Sequence, residues 1–226
     1  MNQKPILTIK DLVVAFDTDQ GVVHAVDRID LQVQKGKILG LAGESGCGKS
    51  VTALSIMRLL PKPVSKIVNG TAYFQDRNIF DLTADDMHNI RGKKISMIFQ
   101  EPMTSLNPVH AIGKQIKEIF QLHFPDMTAR QMTSSAIEML KKVGIPDPEK
   151  MTRKFPHQLS GGMRQRVMIA MALACEPEIL IADEPTTALD VTVQAQILDL
   201  IKTLQEQTGM SVILITHDLG IIAENC

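Results

Sequence analysis

The sequence predicts an α/β fold, and three observations predict it. Apolar runs of strand length, Ile38–Ala42, Glu178–Ala182 and Val212–Ile215, alternate with helix-forming stretches, as in a buried parallel sheet. These runs lead into glycine-rich or polar residues, and open parallel sheets bind ligands at the carboxyl ends of their strands. A Met-rich helical segment, roughly residues 101–176, interrupts the alternation as an insertion into the α/β core.

From the amino terminus, Ile6–Ile9 and Val22–Val26 read as strands, with Phe16 in the loop after the first. An aromatic there either stacks on a nucleobase or packs into the core. Ile29–Gln34 alternates strictly, the mark of a half-buried antiparallel strand. Lys35-Gly36-Lys37 then turns the chain into Ile38–Ala42.

The stretch Gly43-Glu44-Ser45-Gly46-Cys47-Gly48-Lys49-Ser50 fits G-x-x-x-x-G-K-[ST], a phosphate-binding P-loop. Glycines at 43, 46 and 48 allow φ > 0 and a close approach of backbone to anion. The exposed N–H groups form a cradle, and Lys49 adds a point charge for the β- and γ-phosphates. The Ser50 hydroxyl suits Mg²⁺, and the helix start, including Val51, adds its positive end. Ser50–Leu60 is the expected helix, with apolar Leu54, Met57 and Leu60, stopped by Pro61. Strand, glycine loop and helix thus stand in the order that phosphate binding requires.

Asn69-Gly70 precedes an alternating strand, Thr71–Phe74, and Asp81–Ile90 reads as a short helix with an acidic start. Lys94–Gln100 returns to strand, and Thr104–Pro108 is a loop. Gly113–Phe124 and Thr128–Val143 are helices, the second capped by Thr128. Pro146-Asp147-Pro148 and Phe155-Pro156 break the chain between helical pieces. Val193–Gln207 is a helix closed by Gly209. There is no internal repeat.

Composition narrows the function. A formal net charge of −1, no Trp and 4% aromatic residues give no basis for nucleic acid as a partner. Cys47, Cys175 and Cys226 lack metal-ligand spacing, which suits a reducing cytosol. Met1–Asp11 lacks the apolar core of a signal peptide. The longest apolar run, Val167–Cys175, falls short of the roughly 20 residues of a membrane span and reads as a buried helix.

The strand ends carry residues suited to phosphate chemistry. Asp183 can hold Mg²⁺, and the adjacent Glu184 can orient or deprotonate an attacking water. Gln100 can sense the metal or the γ-phosphate, and His217 can contact the γ-phosphate. Singly, each has a plainer role as a solvated or capping residue, and Asp183-Glu184 can be a helix N-cap. Their joint occurrence after a P-loop favours the catalytic reading. Leu159-Ser160-Gly161-Gly162-Met163 opens a second anion-binding helix start. Two such helix starts in one chain suggest that they meet across a dimer.

With that stretch, the chain resembles the ATP-binding subunits of ABC transporters over essentially its whole length. Leu159–Met163 is similar to the family's Leu-Ser-Gly-Gly-Gln signature, Met163 replacing Gln. Phe16 resembles the A-loop aromatic, Gln100 the Q-loop glutamine, Asp183-Glu184 the Walker B pair, Ala188-Leu189-Asp190 the D-loop and His217 the H-loop histidine. Phe99–Pro108, Pro156–Leu159 and Thr187–Gln196 resemble the ATPases of dipeptide, oligopeptide and nickel importers. The resemblance implies a P-loop NTPase (RecA-like) core with an antiparallel β subdomain and an inserted helical subdomain. It implies one ATPase domain over residues 1–226, its core formed by 1–100 and 177–226, from a chain that continues past Cys226 in the family.

It further implies ATP and Mg²⁺, with Glu184, His217 and Gln100 in catalysis and Ser50, Gln100 and Asp183 at the metal. Phe16, residues 43–51, Ser160, Gly161, Gly162 and Asp190 would bind nucleotide, the signature acting on the other chain's ATP. The implied partners are a second ATPase subunit, identical or homologous, and permease subunits that dock near the Q-loop. An extracytoplasmic solute-binding protein would act through the permease, and the ATPase would sit peripherally on the cytoplasmic face of the membrane. An ABC-type ATPase acting on DNA or ribosomes would carry a coiled coil, zinc cysteines or a basic linker, which this sequence lacks. Glu184 and Lys49 argue against a module that only senses ATP.

Overall fold

The computed structural model describes residues 4–100, 105–186 and 189–225. Expectations for Glu101–Thr104, Thr187, Ala188 and Cys226 lie outside the described residues. Strand β1 (Leu7–Thr18) and strand β2 (Gly21–Val33) form a long hairpin. Strand β3 (Ile38–Ala42) leads through the glycine loop into α1 (Lys49–Ile56). Then come β4 (Ser65–Phe74), β5 (Arg77–Asn78), α2 (Ala84–Ile90) and β6 (Ile95–Ile98). Helices α3 (Ile112–His123), α4 (Ala129–Lys142), α5 (Pro148–Met151) and α6 (Gly161–Leu173) follow. The described chain closes with β7 (Ile179–Asp183), α7 (Val191–Thr208), β8 (Ser211–Thr216) and α8 (Leu219–Asn225).

The strands build two sheets. One is antiparallel, in the order β2-β1-β4-β5, and the other parallel, in the order β3-β8-β7-β6. The parallel sheet separates two apolar cores. Ile179, Ile181, Ile213 and Ile215 pack toward α1 and the antiparallel sheet. Leu180, Ala182, Val212 and Leu214 pack toward α3, α4, α6 and α7. Successive side chains still alternate, but both faces are covered, so the sequence reads as continuous apolar runs. The outcome is α/β, a P-loop NTPase fold with an antiparallel sheet beside the parallel one.

Several boundaries correct the sequence reading. Phe16 lies within β1, opposite Val23 and Ser65, and not in a loop. The strand pieces expected at Val22–Val26 and Ile29–Gln34 are one strand, with Arg28 at φ 49°. Asn69-Gly70 lies inside β4, where Gly70 has φ 104°. A Cβ on Gly70 would stand 2.6 Å from Leu12 Cα, so this crossing of strands admits only glycine. Asp81–Ile90 divides into a 3₁₀ turn, Ile79–Asp81, and α2, capped by Thr83.

The P-loop helix ends at Ile56, well before Pro61. Its end is a Schellman motif: Arg58 N–H donates to Ser55 O (3.0 Å) and Leu59 N–H to Leu54 O (2.8 Å). Arg58 fills the left-handed position, φ 51°, where glycine is the common choice. Gly209 fills the same role after α7, as expected, with φ 68°. Thr128 caps α4 in a full capping box with Gln131.

Candidate functional site

The loop between β3 and α1 is shaped by its glycines in different ways. Gly46 and Gly48 have φ 83° and 93°, the conformations expected of them. Gly43 has no positive φ; its role is space, since a Cβ there would lie 2.7 Å from Cys47 Sγ. Gly48 is doubly constrained, because a Cβ would stand 2.3 Å from Ala25 O on β2. The antiparallel sheet thereby backs the start of α1.

Lys49 is buried, and its ammonium donates to Gly43 O (2.7 Å) and Glu44 O (2.8 Å). Cys47 Sγ lies 3.7 Å from the same nitrogen and is exposed. These contacts hold the cation inside the curve of the loop. Ser50 Oγ donates to Asp183 Oδ1 across 3.1 Å, joining the first turn of α1 to the carboxyl end of β7. Asp183 is only 4% exposed. Burial pushes its carboxyl above the ordinary range and Glu184's charge adds to this, while the Ser50 hydrogen bond and Lys49 act in the other direction.

Glu184 follows β7 in the left-handed region, φ 44°, and its N–H donates to Ile215 O on β8 (3.0 Å). It does not cap a helix, since α7 begins only at Val191. Its carboxylate accepts from Gln100 Nε2 (3.0 Å) and lies 3.5 Å from His217 Nδ1. Gln100 spends its amide nitrogen on Glu184 and leaves its oxygen for another partner. Gly43, Glu44, Ser45, Gln100, Glu184, His217 and Leu219 line one cleft of about 560 Å³. Leu219 was not foreseen from the sequence; two residues after His217 and 72% exposed, its only signal is position.

The signature residues lie elsewhere. Ser160 caps α6, accepting from Met163 N–H (3.3 Å), and Asp190 caps α7, accepting from Val193 N–H (2.9 Å). These two helix starts touch: a Cβ on Gly161 would meet Leu189 Cδ2 at 3.3 Å, and one on Gly162 would meet Val193 Cγ1 at 2.9 Å. Gln194, read only as part of a motif, donates to Thr186 O and Leu189 O (3.2 Å each) and ties the segment after Glu184 to α7. Ser160, Gly161, Gly162, Asp190 and Phe16 are not among the residues lining the P-loop cleft.

A sequence profile described as ABC transporter matches residues 26–187 of this chain. The chain belongs to that family. It is 53% identical to the "Probable peptide ABC transporter ATP-binding protein y4tR" of Sinorhizobium fredii, over 98% of this chain and 66% of that protein. It is 51% identical to the oligopeptide transport ATP-binding protein OppD of Bacillus subtilis, over 96% of this chain and 61% of OppD. The dipeptide transport ATP-binding protein DppD of Bacillus subtilis is 51% identical, over 97% of this chain and 65% of DppD. The chain thus spans somewhat less than two thirds of the length of these ABC relatives. A dimeric ATP-binding cassette in a post-hydrolysis state, bound to ADP and Pi, superposes with a TM-score of 0.82 and 29% identity, covering 97% of this chain and 91% of that one. No described helix of this family member is long and apolar enough to cross a membrane.

Proposed function

We propose that this ABC family member hydrolyses ATP and couples that hydrolysis to peptide import. The observation that carries the reading is the link between Ser50 and Asp183 beside the Gln100–Glu184–His217 chain, all at the mouth of the P-loop. The peptide, oligopeptide and dipeptide names of its relatives support the choice of solute.

The residues fit Mg²⁺: Ser50, Asp183 and Gln100 would hold it through hydroxyl, carboxylate and amide oxygens, the hard donors that it takes. Bound there, a divalent cation would neutralise charge on the phosphate oxygens. Residues 43–51 cradle the phosphates with backbone N–H groups, and Lys49 supplies fixed positive charge. Phe16 contacts the base. Glu184 orients the attacking water and accepts its proton, held by Gln100 on one side and His217 on the other. Asp190 and the signature residues Ser160, Gly161 and Gly162 serve the ATP of a second ATPase subunit, identical or homologous. The dimeric relative bound to ADP and Pi supports such pairing.

In this reading residues 1–226 are one ATPase domain, with 101–176 as its helical subdomain. Permease subunits dock on the helical side near Gln100, a solute-binding protein acts through them, and the ATPase rests on the cytoplasmic face of the membrane. Glu184→Gln tests the chemistry. It should retain Mg-ATP binding and lose turnover by about 10²–10⁴-fold, the range of a general base. Phosphate release within a few-fold of wild type would remove Glu184 from that role.

A further inference from the structure

A second cleft, larger than that at the P-loop, measures about 680 Å³ and lies beyond the far end of α1, between β4 and α2. Its cations are Arg58, Lys62, Lys66 and Arg91, and no Asp or Glu is among its lining residues. Apolar lining comes from Leu60, Ile67, Val68, Phe80, Ala84 and Met87. Val68 is 51% exposed within it.

The two arginines are held in place but not neutralised. Arg91 Nε donates to Met57 O (2.8 Å) and Nη2 to Arg58 O (3.1 Å), serving the carbonyl end of α1. Arg58 Nη1 donates to Leu82 O (2.5 Å) and Ile79 O (3.3 Å). All these acceptors are uncharged. Neither guanidinium meets a carboxylate within ion-pair distance among the described residues. Lys66 meets only Asp17, at 3.9 Å and with both side chains exposed, a contact worth little in water. Burial and the neighbouring charge of Arg58 lower the Arg91 pKa, as crowding without a counterion does. Arg58 keeps a left-handed φ of 51° in a Schellman position that glycine also fills, and its side chain reaches the carbonyls of Ile79 and Leu82.

We propose that this cleft binds a soluble organic phosphate, its anionic head between Arg58, Arg91 and the two lysines and its apolar body on Phe80, Ile67 and Val68. Fixed, planar guanidinium groups match phosphate oxygens, and Lys62 and Lys66 add mobile charge. The volume, and a wall that mixes cationic and apolar side chains, suit a small amphiphilic anion. The site is separate from the nucleotide cleft and does not rest on the ATPase reading.

The test follows the Met87 methyl resonance in methionine-methyl-labelled protein during titration with hexyl phosphate. A saturating non-hydrolysable ATP analogue is present, so that the P-loop is occupied. Met87 should shift saturably, inorganic phosphate should compete weakly, and hexanol should have no effect. Lys62→Glu/Lys66→Glu should weaken binding by about tenfold or more, and Arg58→Gly by a similar factor. Arg58→Gly keeps the helix end in its preferred residue, so an unchanged Met methyl spectrum away from the cleft verifies the fold. An unmoved Met87, equal shifts with hexanol, or affinity indifferent to these charges overturns the proposal. Binding to phosphatidate vesicles without response to hexyl phosphate also overturns it, in favour of a membrane surface.

Discussion

Glu184 holds a left-handed backbone, φ 44°, at the end of a buried strand. Such a conformation in a non-glycine residue costs on the order of 1–3 kcal/mol, and it persists here because β8 receives its N–H while Gln100 and His217 hold its carboxylate. Sequence offered the residue type and its place after Asp183, but φ depends on the packing of β7 against β8, which no local pattern encodes. Gly43 teaches the converse: it is legible as a motif glycine, yet its reason is the room it leaves for Cys47. The cysteines differ for similar causes. Burial pushes the Cys175 thiol up to about 11, whereas Cys47 is exposed in the P-loop. Alkylation at pH 8 should therefore modify Cys47 before Cys175, and Mg-ATP should slow it; Cys175 modified at an equal rate in native protein would contradict this. Because the raised group is neutral in the fold, it costs stability only as pH climbs from about 9 toward 11. Cys175→Ser should therefore flatten the fall in melting temperature across that window.

At the scale of elements, the long periodic pieces were legible and the irregular ones were not. The buried strands β7 and β8 and the helices α3, α4 and α7 fall within about two residues of expectation, because apolar runs and caps define them. Asn69-Gly70 reads as preceding a strand, yet it lies inside β4, because a glycine that bends a strand and one that stands before it look the same in sequence. The end of α1 was hidden because arginine occupies the position where glycine would have announced it. Phe16 reads as a loop residue because bulges at Asp11 and Arg28 interrupt the alternation of β1 and β2. The capping box of α4 gives a quantitative check. Thr128→Ala removes a reciprocal pair of hydrogen bonds and should cost about 1 kcal/mol, lowering the melting temperature by roughly 2–4 °C. An unchanged melting temperature would mean that α4 is held wholly by its packing against α3 and α6.

At the scale of the molecule, the chain presents two groups of proposed site residues that do not share a cleft. One gathers Gln100, Glu184 and His217 around the P-loop; the other joins Ser160 on α6 to Asp190 on α7. The sequence suggests two such starts, neither Ser160 nor Asp190 lines the P-loop cleft, and on the proposed reading a complete site takes two chains. Lys49→Ala and Ser160→Arg test this in trans. Each substitution alone places one defect in both sites of a dimer. A mixed dimer collects both defects in one site and leaves the other whole. If wild type is active as a homodimer, mixing the two inactive variants should restore ATP hydrolysis, measured as phosphate release, to a substantial fraction of the wild-type rate. An active wild type whose mixed variants form dimers and trap ATP, yet release no phosphate, would contradict the composite site.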